Sequence, residues 1–206
     1  MLISGPFKFE GQPHYEKFSK FVALSVAELI QKEFDLEEVI LPLPEDRGTC
    51  PITFPILHSK DIATNSKIIV IVLGAGQVEL GQWSRSLCIN QSLALGSLLP
   101  FVREAVKVRG CAVLLTNPNI NTWINPTTRK LSRIPGNGDP ESHLHYLYQH
   151  YIKDSEAKEI GIIAHSFGGT STMSLLSRED VVDDLLGDAK VEGGRLKFVT
   201  LTDSVH

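Results

Sequence analysis

The apolar positions of the chain follow two spacings, one typical of helices and one of buried strands. Over residues 13–34 they recur every three or four residues, which predicts a helix with one apolar face. That face comprises Phe18, Phe21, Val22, Val26, Leu29 and Ile30. Further helices are predicted at residues 98–109, 141–153, 170–177 and 181–186. In the helix over 98–109 the expected core face is Leu98, Val102, Ala105 and Val106.

The strand signal is clearest at residues 68–73, an almost unbroken run of β-branched residues. Continuous apolarity indicates a strand covered on both faces, as in the centre of a parallel sheet. Buried strands are likewise predicted at 111–115, 159–164 and 196–201. A short strand is predicted at 37–43, and the prolines around 52–57 favour an edge strand there.

Strands that alternate with helices predict an α/β fold, with a mostly parallel sheet and helices on both faces. Ligand sites in such sheets lie at the carboxyl ends of the strands, here 73–77, 116–119, 165–169 and 202–206. Residues 121–140 contain three prolines and two glycines, so a mobile surface loop is expected over about 119–140.

Length and charge narrow the function classes. The 206 residues suit one domain spanning 1–206. The net charge of −4 argues against a dominant nucleic-acid surface. Arg129, Lys130 and Arg133 form a basic stretch, but no aromatic residues interleave them, so direct RNA binding is weakly supported. No apolar run is long enough to span a bilayer, so no membrane association is expected.

Metal and disulfide chemistry have little support in the sequence. The three cysteines are widely spaced, which argues against a disulfide framework or a zinc site and favours a reducing compartment. His143, His145 and His150 lie on one predicted helix without a suitably spaced carboxylate, so they are expected to be solvated. We therefore expect no metal and no cofactor.

Residues 159–169 carry the most specific chemical signal. A buried strand runs into Ala164-His165-Ser166-Phe167-Gly168-Gly169, with a serine at the turn and small residues before a helix. This pattern is typical of a nucleophile elbow, in which a sharp turn exposes the serine hydroxyl. The usual first glycine is replaced by Ala164, which is small enough to fit.

An oxyanion hole and a triad can be sought around Ser166. The N–H of Phe167 is one expected oxyanion donor, and the loop carrying Gly74 and Gly76 is the expected source of the second, although these glycines also suit a simple tight turn. Asp203 is the candidate acid. His206, the candidate base, would have to fold back from the terminus, and adjacent strand residues such as His165 and Ser166 point to opposite faces. An elbow without a base is therefore favoured over a complete triad.

Three segments resemble the Argonaute-binding protein two domain family, and specifically its animal branch of cotranscriptional regulators. They are Gly81-Gln82-Trp83-Ser84-Arg85-Ser86-Leu87 with Ile89-Asn90, then residues 164–169, and Leu201-Thr202-Asp203-Ser204-Val205-His206. The resemblance implies an α/β-hydrolase-like fold and nuclear work with Argonaute proteins in small-RNA-directed heterochromatin formation and splicing control. It places the family serine at Ser166 and the acid at Asp203.

Some features depart from that family. Leu73-Gly74 stands where the family usually has His-Gly, and the charged insert between Asn119 and Pro140 is short. Family members extend further at both ends, so the resemblance predicts a domain that is incomplete at both ends and truncated at the C-terminus.

Two functions stay open from the sequence. One is a non-catalytic adaptor that binds Argonaute, chromatin or splicing proteins in the nucleus, with the cytoplasm as a second location. The other is a serine hydrolase of the esterase or thioesterase type that uses Ser166. Trp83 is a weak candidate for ligand stacking, since a packed tryptophan is the more common arrangement.

Overall fold

The computed structural model describes residues 7–187 and 193–204. The strands are β1 (Leu36–Leu41), β2 (Phe54–Ser59), β3 (Lys67–Val72), β4 (Ala112–Leu115), β5 (Thr122–Ile124), β6 (Leu131–Arg133), β7 (Glu159–His165) and β8 (Leu196–Thr202). The helices are α1 (Gln12–Phe34), α2 (Arg85–Asn90), α3 (Leu93–Gly96), α4 (Leu99–Arg103), α5 (Pro140–Leu147), α6 (Phe167–Leu176) and α7 (Glu179–Leu185). Two of them continue as π-helical turns, α4 through Glu104–Val108 and α5 through Tyr148–Ile152.

The main sheet has the strand order β1-β2-β4-β3-β7-β8. Strands β4, β3, β7 and β8 are parallel, while β1 and β2 extend the sheet with antiparallel pairings. Helices α1 and α4 pack on one face around Val26, Ile30 and Val102. Helices α5, α6 and α7 pack on the other face around Leu147, Leu175 and Leu185. The mostly parallel sheet with helices on both faces is confirmed.

The predicted central strand is confirmed as β3, which lies between β4 and β7 with Ile68 and Ile71 fully buried. The prediction that residues 52–57 form an edge strand is wrong about the position of the strand in the sheet. This segment forms β2, an inner strand between β1 and β4, because Pro55 still allows the neighbouring residues to complete the ladder to β1.

Two predictions from apolar patterns assigned more residues to the core than the structure buries. The strand predicted as buried at 196–201 is β8, which lies at one edge of the described sheet with Phe198 45% exposed. On α1, Phe21 and Leu29 are exposed, since the buried stripe runs through Ala23, Val26 and Ile30 instead.

The segment expected to be a loop over about 119–140 contains a β-hairpin instead. Strands β5 and β6 pair antiparallel, with Ile124 opposite Leu131. Trp123 and Ile134 are buried in the core beneath the hairpin. These two apolar anchors explain why a proline-rich segment forms regular structure here.

The order of strands fixes where the site lies. After β3 the chain moves to β4 on one side, and β7 and β8 then add to the other side of β3. The loops that follow β3 and β7 therefore diverge to opposite faces of the sheet. In α/β sheets, ligands usually bind at the carboxyl ends of the strands at such a switch point, and residues 73–77 and 165–169 lie on its two sides.

Candidate active-site elbow

Ser166 occupies a strained turn between β7 and α6. Its φ of 51° and ψ of −126° are rare for a residue with a side chain. Such backbone strain costs on the order of 1–3 kcal/mol and persists only where the surroundings enforce it. The geometry matches the sharp strand-to-helix turn expected of a nucleophile elbow.

Small residues are needed because the elbow packs against backbone. A Cβ on Gly168 would lie 2.7 Å from the Val72 carbonyl oxygen and 2.8 Å from that of Leu73. A Cβ on Gly74 would lie 3.0 Å from the Ser166 Cβ. The loop after β3 and the elbow after β7 are thus in direct contact at the switch point.

The expected oxyanion donors differ in their surroundings. Phe167 begins α6, where first-turn N–H groups have no helical acceptor and carry partial positive charge. The Gly76 N–H instead donates to the Asn119 Oδ1 at 2.9 Å, so this predicted donor is engaged within the protein. Of the three predicted donors, Phe167 and Gly74 are the ones that border Ser166.

Asn119 is a residue that the sequence reasoning did not assign. Its Nδ2 donates to the carbonyl oxygens of Gly74 and Val78 at 3.0 and 2.9 Å. With the bond from Gly76, three hydrogen bonds fix the loop after β3. The available signal was an asparagine just beyond the carboxyl end of a buried strand.

The end of β8 is bound to the elbow backbone. The Ser166 N–H donates to the Thr202 carbonyl oxygen at 3.0 Å, and Ser204 Oγ donates to the Ser166 carbonyl oxygen at 3.2 Å. The candidate acid Asp203 lies between those two contacts, exposed and with a φ of 48°. The candidate base His206 lies outside the described residues.

The His165 side chain makes its contacts with Thr202 and Trp83. Its Nδ1 donates to the Thr202 carbonyl oxygen at 3.0 Å, and its ring meets Trp83 edge-on at 5.7 Å between centroids. Trp83 also meets Phe101 edge-on at 5.3 Å, so its indole is packed between two rings. Among the described residues, no histidine hydrogen-bonds to the Ser166 Oγ. The elbow is therefore assembled without a described general base.

The prediction that His143 is solvated is wrong. The side chain is 1% exposed and lies between two hydrogen-bonded groups. Its Nε2 accepts from the Asn117 N–H at 3.0 Å, which leaves Nδ1 as the protonated nitrogen facing Asn137 Oδ1 at 2.6 Å. Burial lowers the pKa of His143 to about 3, so the ring is neutral. Helical spacing gave no sign of this, because both partners come from other elements.

From the sequence alone, a solvated acidic face is the simplest interpretation of Asp180, Asp183, Asp184 and Asp188, and this prediction is partly wrong. Asp184 pairs with Arg195, whose guanidinium also donates to the carbonyl oxygens of Ile152, Lys153 and Ala157. Asp180 pairs with His145 at 2.8 Å. These acids join α7 to its neighbours. Asp188 lies outside the described residues.

Comparison with known families agrees with the resemblance found in the sequence. The family model described as the Arb2 domain matches residues 5–183. The chain belongs to the Arb2 domain family. As an Arb2 domain it is 32% identical to a cotranscriptional regulator ARB2A homolog of Dictyostelium discoideum, over 97% of this chain and 56% of that protein. It is 28% identical to the cotranscriptional regulator ARB2A of Homo sapiens, over 95% of this chain and 55% of that protein.

The chain spans about 56% of the length of the first of these relatives. Among solved structures, the Arb2 domain is similar to a histone deacetylase from Saccharomyces cerevisiae, with a TM-score of 0.53 and 17% identity. That match covers 93% of this chain and 70% of the other. It supports the α/β fold and carries nothing about chemistry.

None of the described helices has the length and apolarity needed to cross a membrane. Within residues 7–187 and 193–204, no three histidine, cysteine, aspartate or glutamate side chains cluster in a way that suits a metal ion.

Proposed function

We propose that this Arb2 domain is a non-catalytic adaptor in cotranscriptional regulation. It would act in the nucleus with Argonaute, chromatin or splicing proteins, in heterochromatin formation or in the control of splicing. The names of the relatives from Dictyostelium and from humans support this class of role. In this proposal the hydrolase-like elbow is a scaffold feature, and partner surfaces carry the function.

One observation carries the non-catalytic part of the proposal. His165, which adjoins the serine, is held by Thr202 and packed against Trp83, so its ring is committed to the scaffold. A serine hydroxyl is a weak nucleophile unless an adjacent base accepts its proton. The elbow of the described chain has the turn without that proton acceptor.

The test asks whether the protein still functions when its fold is intact but the Ser166 hydroxyl is absent. In cells lacking the natural gene, the full-length protein carrying Ser166→Ala should restore nascent-transcript and splice-isoform profiles as fully as the wild type does. A fluorophosphonate probe should leave the intact mass of the wild-type chain unchanged. Failed rescue by a stably folded Ser166→Ala variant, or an adduct absent from that variant, would overturn the proposal.

A serine hydrolase is the second candidate, and the backbone of Ser166 favours it. The strained φ and ψ angles present the side chain at the N-terminus of α6, where the Phe167 N–H could stabilise an oxyanion. In that mechanism Ser166 attacks an ester or thioester carbonyl, and Asp203 orients a histidine such as His206. A Ser166-dependent adduct in the same experiment would support it.

A further inference from the structure

The β5–β6 hairpin presents an apolar pair to solvent. Ile124 and Leu131 are direct cross-strand partners, and they are 68% and 70% exposed. Their neighbours along each strand, Trp123 and Ser132, face the opposite side, where Trp123 is buried in the core. The hairpin therefore has one face that stabilises the fold and one apolar face that the described residues leave uncovered.

This hairpin is held in shape by its turn and its base. The Asn125 Oδ1 accepts from the N–H groups of Thr127 and Thr128, and the Asn125 N–H donates to the Lys130 carbonyl oxygen. At the base, the Ile134 N–H donates to the Asn121 carbonyl oxygen. A surface fixed in this way loses little conformational entropy on binding, which favours affinity.

The charge of the hairpin is opposite to that of the whole chain. Arg129 and Lys130 lie at its turn and form no ion pair with other described residues. Arg133, next to the apolar pair on the same face, is paired with Asp139. A chain with a net charge of −4 thus carries two unpaired cations beside its apolar hairpin face.

We propose that the outer face of this hairpin docks an acidic segment of a protein partner that carries aliphatic side chains. The apolar pair would bury the partner's aliphatic groups, while Arg129 and Lys130 would attract its carboxylates. This deepens the adaptor function proposed above and rests on it. RNA fits less well, because the indole of Trp123 faces the core and offers no surface on which a base could stack.

The test uses fluorescence anisotropy with the whole chain. The probe is a fluorescein-labelled peptide of alternating glutamate and leucine, compared with a polyglutamate peptide and a uridine oligonucleotide of equal length. The mixed peptide should bind tightest, and Ile124→Ser with Leu131→Ser should weaken it by at least about tenfold. Replacing Arg129 and Lys130 with serine should remove most of the loss of affinity seen as salt rises from about 0.01 M to about 0.15 M.

Matched controls lie elsewhere on the surface. Leu24→Ser with Leu95→Ser removes two side chains that are each 60% exposed, and Lys17→Ser with Lys153→Ser removes two other exposed cations. Neither control should weaken binding. No binding of the mixed peptide, equal weakening by the controls, or tighter binding of the oligonucleotide would overturn the proposal. These outcomes are separable from the Ser166→Ala rescue, which does not involve the hairpin.

Discussion

Gly168 approaches the backbone of Val72 so closely that a Cβ at this position would lie 2.7 Å from the Val72 carbonyl oxygen. The contact joins the helix after the elbow to the central strand of the sheet. Because both groups are backbone and neither is at the end of a flexible side chain, the clash cannot be relieved by a rotamer change. The elbow and β3 are therefore fixed relative to each other.

Gly168→Ala should lower the free energy of unfolding by about 1–3 kcal/mol, the usual cost of overpacking a well-filled interior. Urea denaturation followed by circular dichroism measures the change. Met173→Ala is the control, since Met173 lies on the same helix and is 46% exposed. Equal stability of the two variants would show that the backbone moves apart more easily than the contact indicates.

His143 should make the fold sensitive to acid. Its pKa is lowered to about 3 in the folded protein, against an ordinary value of about 6.5. Between those values the unfolded chain binds a proton at this ring and the folded chain does not. The free energy of unfolding should therefore fall by up to about 1.4 kcal/mol per pH unit as the pH drops below about 6.5.

The measurement is urea denaturation at several pH values, in the wild type and in His143→Gln. Glutamine can keep one acceptor and one donor at this position and does not titrate. The variant should lose less stability per pH unit than the wild type, whatever its stability at neutral pH. Met173→Ala, which removes an exposed side chain without a titratable group, should keep the wild-type slope. If the free energy of unfolding had the same slope against pH in the wild type and in His143→Gln, the lowered pKa of His143 would be contradicted.

Arg195 should be hard to replace, even by lysine. Its side chain is 17% exposed and bonds both Asp184 and the carbonyl oxygens that end the π-helical turn after α5. A lysine ammonium cannot reproduce that planar set of donors. Arg195→Lys should cost about 1–3 kcal/mol in denaturation experiments. At the control position Arg103, which pairs with Glu33 and is 55% exposed, the same change should cost at most about 1 kcal/mol.

Asn119→Ala should loosen the loop after β3. Hydrogen exchange followed by mass spectrometry should show faster exchange in peptides covering residues 74–78, because Gly76 loses its acceptor and two carbonyl oxygens lose their donor. Asn121→Ala should instead act at the base of the hairpin, where Asn121 bonds the Pro118 and Asn137 carbonyl oxygens. Unchanged exchange at 74–78 would show that the loop is held by other contacts.

The buried strands of the fold could be predicted from the sequence for a physical reason. Strands such as residues 68–73 and 159–164 are apolar on both faces. Both faces of such a strand are covered only when it lies inside a sheet with helices on either side. The turn at Ser166 was predictable too, since small residues after a buried strand have few other uses. Each of these predictions depends only on the residues of the segment itself and not on partners elsewhere in the chain.

What could not be predicted depends on distant partners. His143 is buried through Asn117 and Asn137, and Arg195 through Asp184 and the end of α5, contacts that helical spacing does not encode. The hairpin at β5–β6 was hidden because prolines and glycines dominate its segment, while its anchors Trp123 and Ile134 gain their role only from the core beneath. The role of His206 as the candidate base stays a prediction, since this residue lies outside the described residues.

The carbonyl oxygen of Thr202 accepts from both the Ser166 N–H and the His165 Nδ1. Thr202 closes β8, and β8 is bordered on one side only by described strands. Fraying of this strand end would break both bonds at once, and the serine turn would lose two of the restraints that keep it in its costly conformation. The outer strand of the described sheet thus helps to keep Ser166 in its strained conformation, in addition to the contact between Gly168 and β3.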